Sequence, residues 1–269
     1  MSGIAVGIVT YNRPRFADKC LRSVQAHLEP LGFDLSVCND GSEERLGAEY
    51  KRAYRRLQSP SIIEMPENRG VAVAKNLLLT HMLENTDAKW LFLLEDDILI
   101  QSPKAVTEYV RVAEATGLHH LSFAHHGTAN AGGTVAVEGD VEFFPHSVGA
   151  WCLYSRDCLE ASGLFDEHFH NAWEHVEHEL RLVHDGFMPG ADAYKYPDVA
   201  GSSVWLKEIP NSIEKSSIRP RDDWQTSIRE GLLYWSDRKP ETYNMLFGKG
   251  TILEEYAKGV IGNYHNLGE

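Results

Sequence analysis

Cysteine is scarce in this chain: Cys20, Cys38, Cys152 and Cys158 are the only four among 269 residues, and none stands in a paired metal-ligand spacing. Their apolar surroundings mark them as reduced packing residues rather than parts of a disulfide framework, which favours a cytoplasmic protein. Long apolar runs are also missing. No stretch approaches the roughly 18–20 residues that span a bilayer. The amino terminus passes from Met1-Ser2-Gly3 straight into Ile4-Ala5-Val6-Gly7-Ile8-Val9, with no basic segment and long apolar core before it. The expectation is a soluble protein without a signal peptide. Basic residues are outnumbered, 26 Lys and Arg against 39 Asp and Glu, and the formal net charge of −13 argues against DNA, RNA or an anionic membrane as default partners. Internal repeats, low-complexity segments and oligomerising heptads are absent, so oligomeric state is left open.

With 43% apolar and 24% charged residues, the chain has material for one large α/β domain or a domain with an appended carboxyl-terminal piece. Its first hundred residues alternate strand and helix patterns. Ile4 to Thr10 reads as a strand, Arg15 to Leu28 as an amphipathic helix, and Asp34 to Asn39 as a strand ending in turn chemistry at Asp40-Gly41-Ser42. A short strand near Ile62-Ile63, a helix over Gly70 to Leu83 and a strand over Trp90 to Glu95 follow. Such βαβ units predict a mostly parallel sheet with ligands beyond the carboxyl ends of its strands. The second half is less regular. A helix over Pro103 to Thr116 precedes short strands at Leu121 to His125, Thr134 to Val137 and Val141 to Pro145, expected to form a small mixed sheet. A buried strand over Gly149 to Tyr154 and a helix over Ala172 to Asp185 come next, and Lys207 to Asp223 reads as a loop.

The most informative feature is the apolar run Leu91-Phe92-Leu93-Leu94, which stops at Glu95-Asp96-Asp97 before apolar residues resume at Ile98. Carboxylates at the lip of an interior strand are costly unless a cation, donors or solvent compensate them. Hard oxygen ligands there suit Mn²⁺ or Mg²⁺. Two further polar clusters, Thr10-Tyr11-Asn12-Arg13 and Asn39-Asp40-Gly41-Ser42, end neighbouring strands and should meet the acids in one crevice.

Taken in order, these segments resemble family 2-like glycosyltransferases of the GT-A fold over roughly residues 4 to 185. Ile8 to Arg13 is similar to that family's opening segment, and Val37 to Ser42 to its nucleotide-binding turn. Glu67-Asn68-Arg69-Gly70, with Asn76 downstream, is similar to its Asn-Xaa-Gly segment and asparagine. Glu95-Asp96-Asp97 stands at the D-x-D position. Gly149-Ala150-Trp151 and Gly163 to Glu167 resemble the acceptor-side strand and the G-F-D-E segment. The resemblance implies a metal-dependent transferase that moves a sugar from a nucleotide-diphosphate sugar, a UDP-sugar by expectation, to a glycan or other hydroxyl acceptor in glycan or polysaccharide synthesis, with inversion. A catalytic domain over 1–190 would hold the donor in about 1–100 and the acceptor in about 101–190, with 191–269 as a packed carboxyl-terminal extension.

Under that resemblance Thr10 and Asn12 border base and ribose or simply shape a strand-end turn, with Tyr11 and Arg13 also on the donor side. Asp40 accepts the N3–H of a uracil-like base or caps its own turn. Arg69 meets phosphate, orients an acid or is an ordinary surface arginine, and Asn76 completes the donor side. Asp97 is the expected metal ligand, with Glu95 toward ribose or a metal-bound water and Asp96 pointing the opposite way by strand alternation. The departure lies in Trp173-Glu174-His175-Val176-Glu177-His178-Glu179, where His175 stands in place of the family's catalytic aspartate. Glu174 or His175 is the candidate base, Glu174 slightly preferred, and Glu177 shares the Glu174 face of the helix. Alternation along a strand argues against a joint metal site at His125-His126. His184 is a weak second metal ligand. Lys207, Lys215, Arg219 and Arg221 read better as surface charge than as a diphosphate clamp. Trp151 and Trp173 fit either a sugar-stacking or a core role. A sugar nucleotidyltransferase is disfavoured by the lack of a Gly-rich phosphate loop after the first strand. A noncatalytic glycan-binding protein on a decayed transferase fold is the other alternative.

Overall fold

A computed structural model describes residues 3–189, 196–212, 214–218, 222–249, 251, 253, 254 and 257. The parallel half is built as the apolar runs require. Strand β1 (Ile4–Thr10) is buried at every position, and such a run is stable only where both sheet faces are covered. Helix α1 (Pro14–His27) then leads to β2 (Asp34–Asn39), α2 (Gly47–Tyr54), β3 (Ser61–Glu64), α3 (Val71–Asn85) and β4 (Trp90–Glu95). The chain continues through β5 (Ile98–Ile100), α4 (Lys104–Thr116), β6 (His120–Ser122), β7 (Ala136–Glu138), β8 (Val141–Phe144), β9 (Trp151–Ser155), α5 (Arg156–Ser162) and α6 (Glu174–His184). Strands β10 (Tyr196–Val199) and β11 (Leu206–Glu208) precede the terminal helices α7 (Asp222–Arg238) and α8 (Pro240–Phe247).

The central sheet has the order β3-β2-β1-β4-β9-β6. β1 runs parallel to both β2 and β4, and β2 parallel to β3, whereas β9 is antiparallel to β4 and to β6. The carboxyl ends of β1, β2 and β4 therefore share one edge, where the chain entering β9 also lies: Glu95 N–H donates to the Ala150 carbonyl at 2.9 Å. One face of the sheet packs against α1, α2 and α4, the other against α3 and α5. Burial of this order contributes about 1.5–3 kcal/mol for each large side chain such as Phe92 or Leu121.

Several expectations are adjusted. β6 ends at Ser122, three residues early, and joins the central sheet instead of flanking it. The side sheet β10-β8-β7 is antiparallel throughout. β5 pairs with β11, so the segment read as a loop from Lys207 starts in a strand, and α7 begins at Asp222. Phe169 and Leu180 pack against Leu232, Trp235, Leu246 and Phe247, which seats α7 and α8 on α6. Trp151 belongs to the core, its ring 5.3 Å from Phe92 and 6.0 Å from Tyr109. Among the described residues no helix is long and apolar enough to cross a membrane.

Candidate active site

A crevice of about 600 Å³ opens at the shared strand edge. Of the anticipated residues, Thr10, Tyr11, Arg13, Asp40, Glu95, Asp97, Glu174 and His175 line it. The others frame it. Asn12, at φ 52°, ties two strand-end loops together: its N–H donates to Ser42 Oγ at 2.8 Å and its Oδ1 accepts from Glu43 N–H at 2.8 Å. Arg69 leaves its side chain exposed while its backbone N–H donates to Asp40 Oδ1 at 2.9 Å. Asn76 spends its amide on the Phe165 backbone, donating to the carbonyl at 2.9 Å and accepting from the N–H at 3.0 Å, so it clamps the 163–167 segment and not a donor. Glu177 is fully buried and held by Arg181 at 3.1 Å and Lys239 at 3.0 Å, which makes it a tie between α6 and the terminal helices. Asp40 takes Asn68 Nδ2 at 2.7 Å and the N–H groups of Arg69 and Gly70. The close docking requires Gly41 at φ 65°, because a Cβ there would sit 2.0 Å from the Glu67 backbone.

The three acids divide, although only Glu95 lies on β4 and Asp96 and Asp97 form the turn before β5. Asp96 is fully buried beneath the crevice, accepting from Thr10 Oγ1 at 2.5 Å and pairing with Arg13. Burial pushes this carboxyl up, against the pull of Arg13. Asp97 faces the opening, with Oδ2 3.2 Å from the same guanidinium. Its Oδ1 stands 3.3 Å from His126 Nε2, off the direction of a hydrogen bond, and neither buried atom has a hydrogen-bond partner among the described residues. An unsatisfied carboxylate oxygen and imidazole nitrogen facing each other fit a divalent cation. A mixed oxygen and nitrogen pair suits Mn²⁺ better than Mg²⁺, which holds to oxygen ligands and water.

His125 and His126 form no joint site, as expected, although β6 has already ended and strand alternation is not the reason. The two histidines sit on a turn, where His125 packs at 5.1 Å from Phe144 and His126 turns to Asp97. His184 is exposed and pairs with Asp185. Lys207 and Lys215 are exposed and outside the crevice lining, while Arg219 and Arg221 fall outside the described residues.

Across the crevice stands a second charged group that only partly follows from the sequence. Lys75, fully buried on α3, directs its ammonium at Glu95 Oε1 (3.1 Å), Glu174 Oε1 (3.2 Å) and the Gly149 carbonyl (3.2 Å). It joins the metal motif to the start of α6, and a lysine inside the apolar run Val71 to Leu79 was its one sequence signal. Burial would raise the Glu174 carboxyl, yet Lys75 and His175 outweigh it and hold it well below the usual carboxylate range. The same carboxylate lies 3.2 Å from His175 Nδ1. Burial would lower the imidazole, but Glu174 prevails and leaves it above its ordinary value. With Nδ1 committed to Glu174, Nε2 is the nitrogen left for chemistry.

The backbone supports this placement. Trp173 enters α6 at φ 73°, a costly conformation for a bulky residue, held by its Nε1–H to the Ile228 carbonyl at 3.0 Å and by Trp235 and Phe247. Gly149 lies flat under the imidazole; a Cβ there would come 2.8 Å from His175 Cγ. Asn171, also on the crevice wall, has both amide atoms buried without a hydrogen-bond partner among the described residues. Nothing in the sequence singled it out.

Residues 5–130 match the model of glycosyl transferase family 2. No curated protein matches the sequence. The fold is similar to that of the mannosyltransferase PcManGT from Pyrobaculum calidifontis, solved in complex with GDP-Man and Mn²⁺, with a TM-score of 0.59 and 13% identity over 97% of this chain and 73% of that one. It is similar to S. aureus TarS 1-349, with a TM-score of 0.54 and 12% identity over 98% of this chain and 71% of the other. The same TarS fragment in complex with UDP-GlcNAc gives a TM-score of 0.55 at 12% identity, covering 98% of this chain and 72% of that one. At these identities the likeness is one of fold.

Proposed function

We propose that this chain, a glycosyltransferase of the GT-A fold whose residues 5–130 form a family 2 domain, transfers a sugar from a UDP-sugar to a hydroxyl acceptor with inversion, in glycan or polysaccharide synthesis. One observation carries the reading: a single crevice brings the unsatisfied pair Asp97 and His126 together with the Glu174–His175 dyad. Residues about 1–100 hold the donor, about 101–190 the acceptor, and 191–269 extend the catalytic domain.

Asp97 and His126 would hold a divalent cation, which when bound neutralises charge on the donor diphosphate. Arg13, whose pKa is raised because Asp96, Asp97 and Glu95 outweigh its burial, stays cationic beside them and keeps the acids from repelling one another. Asp40 lines the crevice and, with three acceptor positions taken by Asn68, Arg69 and Gly70, has one left on Oδ1 for the N3–H of uracil. His175 Nε2 takes the proton of the acceptor hydroxyl as its oxygen bonds the anomeric carbon and the bond to diphosphate breaks on the opposite face. Glu174 fixes the tautomer that makes this possible, and Lys75 fixes Glu174. Positioning and electrostatics supply most of the acceleration.

The test is calorimetric titration of the protein with UDP-, GDP-, CDP- and TDP-sugars, in Mn²⁺ and in EDTA. Binding of a UDP-sugar in Mn²⁺ alone is the expected result, and tighter binding of another nucleotide would overturn the choice of base. The unpartnered amide of Asn171 supplies a donor and an acceptor to sugar hydroxyls. Asn171→Ala should therefore lower kcat/KM roughly 10-fold, the worth of one or two neutral hydrogen bonds. An unchanged kcat/KM in initial-rate measurements would remove Asn171 from the site.

A further inference from the structure

Behind the crevice, between the central sheet and α6, the core contains three polar side chains that the proposed reaction does not use. His120 on β6 and Glu179 on α6 are wholly inaccessible, and Cys152 on β9 is 2% exposed. A ring nitrogen, a thiol sulfur and a carboxylate oxygen from these residues lie within 4.8 Å of one another.

Hydrogen-bond accounting makes the cluster unusual. His120 Nδ1 lies 2.8 Å from the Leu153 carbonyl. A carbonyl oxygen only accepts, so Nδ1 carries the hydrogen and a neutral ring presents a bare lone pair at Nε2. That lone pair lies 3.1 Å from Glu179 Oε1, an approach that needs either a hydrogen on one of the two atoms or a cation between them. The second oxygen, Glu179 Oε2, is buried with no hydrogen-bond partner among the described residues. Cys152 Sγ reaches the Val148 carbonyl at 3.7 Å, with the Tyr154 side chain beside it. Donation of the remote ring N–H to a backbone carbonyl is the outer-shell arrangement that orients metal-bound histidine. Nitrogen, sulfur and oxygen are all donor types that zinc takes.

We infer that His120 Nε2, Cys152 Sγ and Glu179 form a buried structural zinc site that pins β6 and β9 to α6. Binding forms a zinc–sulfur bond and releases the thiol proton to solvent. Thiolate and carboxylate then cancel the charge of the ion, which makes its burial tolerable. Glu179 Oε2, otherwise unpartnered, is available as a fourth donor. Five residues upstream on the same helix stands Glu174, so the ion would fix the element that carries the dyad. The inference does not depend on which sugar is transferred.

The test is elemental analysis of full-length protein purified without added manganese, as wild type, Asp97→Asn, Cys152→Ser and Glu179→Gln. Stoichiometric zinc is expected in the first two and its loss in the last two. Replacement with cobalt should give a thiolate-to-cobalt charge-transfer band in wild type and Asp97→Asn that Cys152→Ser lacks. If the substituted proteins do not fold, the wild-type cobalt spectrum decides alone: the band supports the site and its absence overturns it. Folded wild type that holds no zinc after refolding in its presence would overturn the site and leave His120 and Glu179 sharing a proton. Zinc that leaves with Asp97→Asn and persists in Cys152→Ser belongs to the crevice and would overturn it equally.

Discussion

Asp97→Asn should bind the donor no better in Mn²⁺ than in EDTA, while the protein unfolds cooperatively and keeps its near-ultraviolet circular dichroism. The substitution keeps the shape of the side chain and an oxygen for Arg13 Nη1, which lies 3.2 Å from Oδ2 in the native residue. What it removes is the negative charge facing His126. Loss of a residue that merely orients a metal ligand typically costs 10–100-fold in metal affinity. Losing the charged ligand itself should cost at least about 100-fold. His126→Ala should act in the same direction, because its Nε2 is the other unsatisfied atom of the pair. Calorimetry reads both. If Asp97→Asn retained full manganese-dependent binding, the cation would have to be held elsewhere, and the pairing of Asp97 with His126 would be only an ion pair.

The parts of the fold that could be read in advance are those where one physical demand dominates. β1 and β2 run Ile4–Thr10 and Asp34–Asn39 as anticipated, because apolar runs buried on both faces stop where the chain meets polar turns. α2 escaped notice since Gly47–Tyr54 buries only Tyr50, Ala53 and Tyr54, too short a stripe to stand out from a loop. At the site, the acidic trio was legible because charge interrupts an apolar strand, and Asp96 does turn away from Asp97, although both lie on the turn that follows β4. His125 and His126 likewise part on a turn past the end of β6, and only His126 reaches Asp97. Lys75 was missed for a different reason. A lysine in a helix is ordinarily solvated, and only the three acceptors converging on it from β4, the β9 entrance and α6 reveal a buried cation. Partners distant in sequence decide such roles, and a one-dimensional pattern does not contain them.

His175→Ala should reduce kcat by about 10²–10⁴, the usual worth of a general base, with donor affinity unchanged. The proposed mechanism gives this role to the histidine in place of Glu174, preferred on sequence. A carboxylate held well below its usual range by Lys75 is a weak proton acceptor, whereas the imidazole is raised toward neutrality by that same carboxylate. The pH dependence separates the two. Histidine works as a base only when neutral, so wild-type kcat should rise with pH through a limb lying above the ordinary histidine value of about 6.5. In Glu174→Gln the amide oxygen can still accept the Nδ1–H, but the charge that raised the ring is gone while burial and Lys75 remain. Both of these favour the neutral ring, so the limb should move to lower pH as kcat falls. If Glu174 were the base, Glu174→Gln would abolish turnover at every pH and His175→Ala would spare it. Gly149→Ala gives an independent check, since its new Cβ would lie 2.8 Å from His175 Cγ and must displace the ring. A fall in kcat there, with Mn²⁺-dependent donor binding intact, would show that the placement of the imidazole limits the reaction. A normal kcat would mean that the ring's position is immaterial, and the base would have to be sought elsewhere in the crevice.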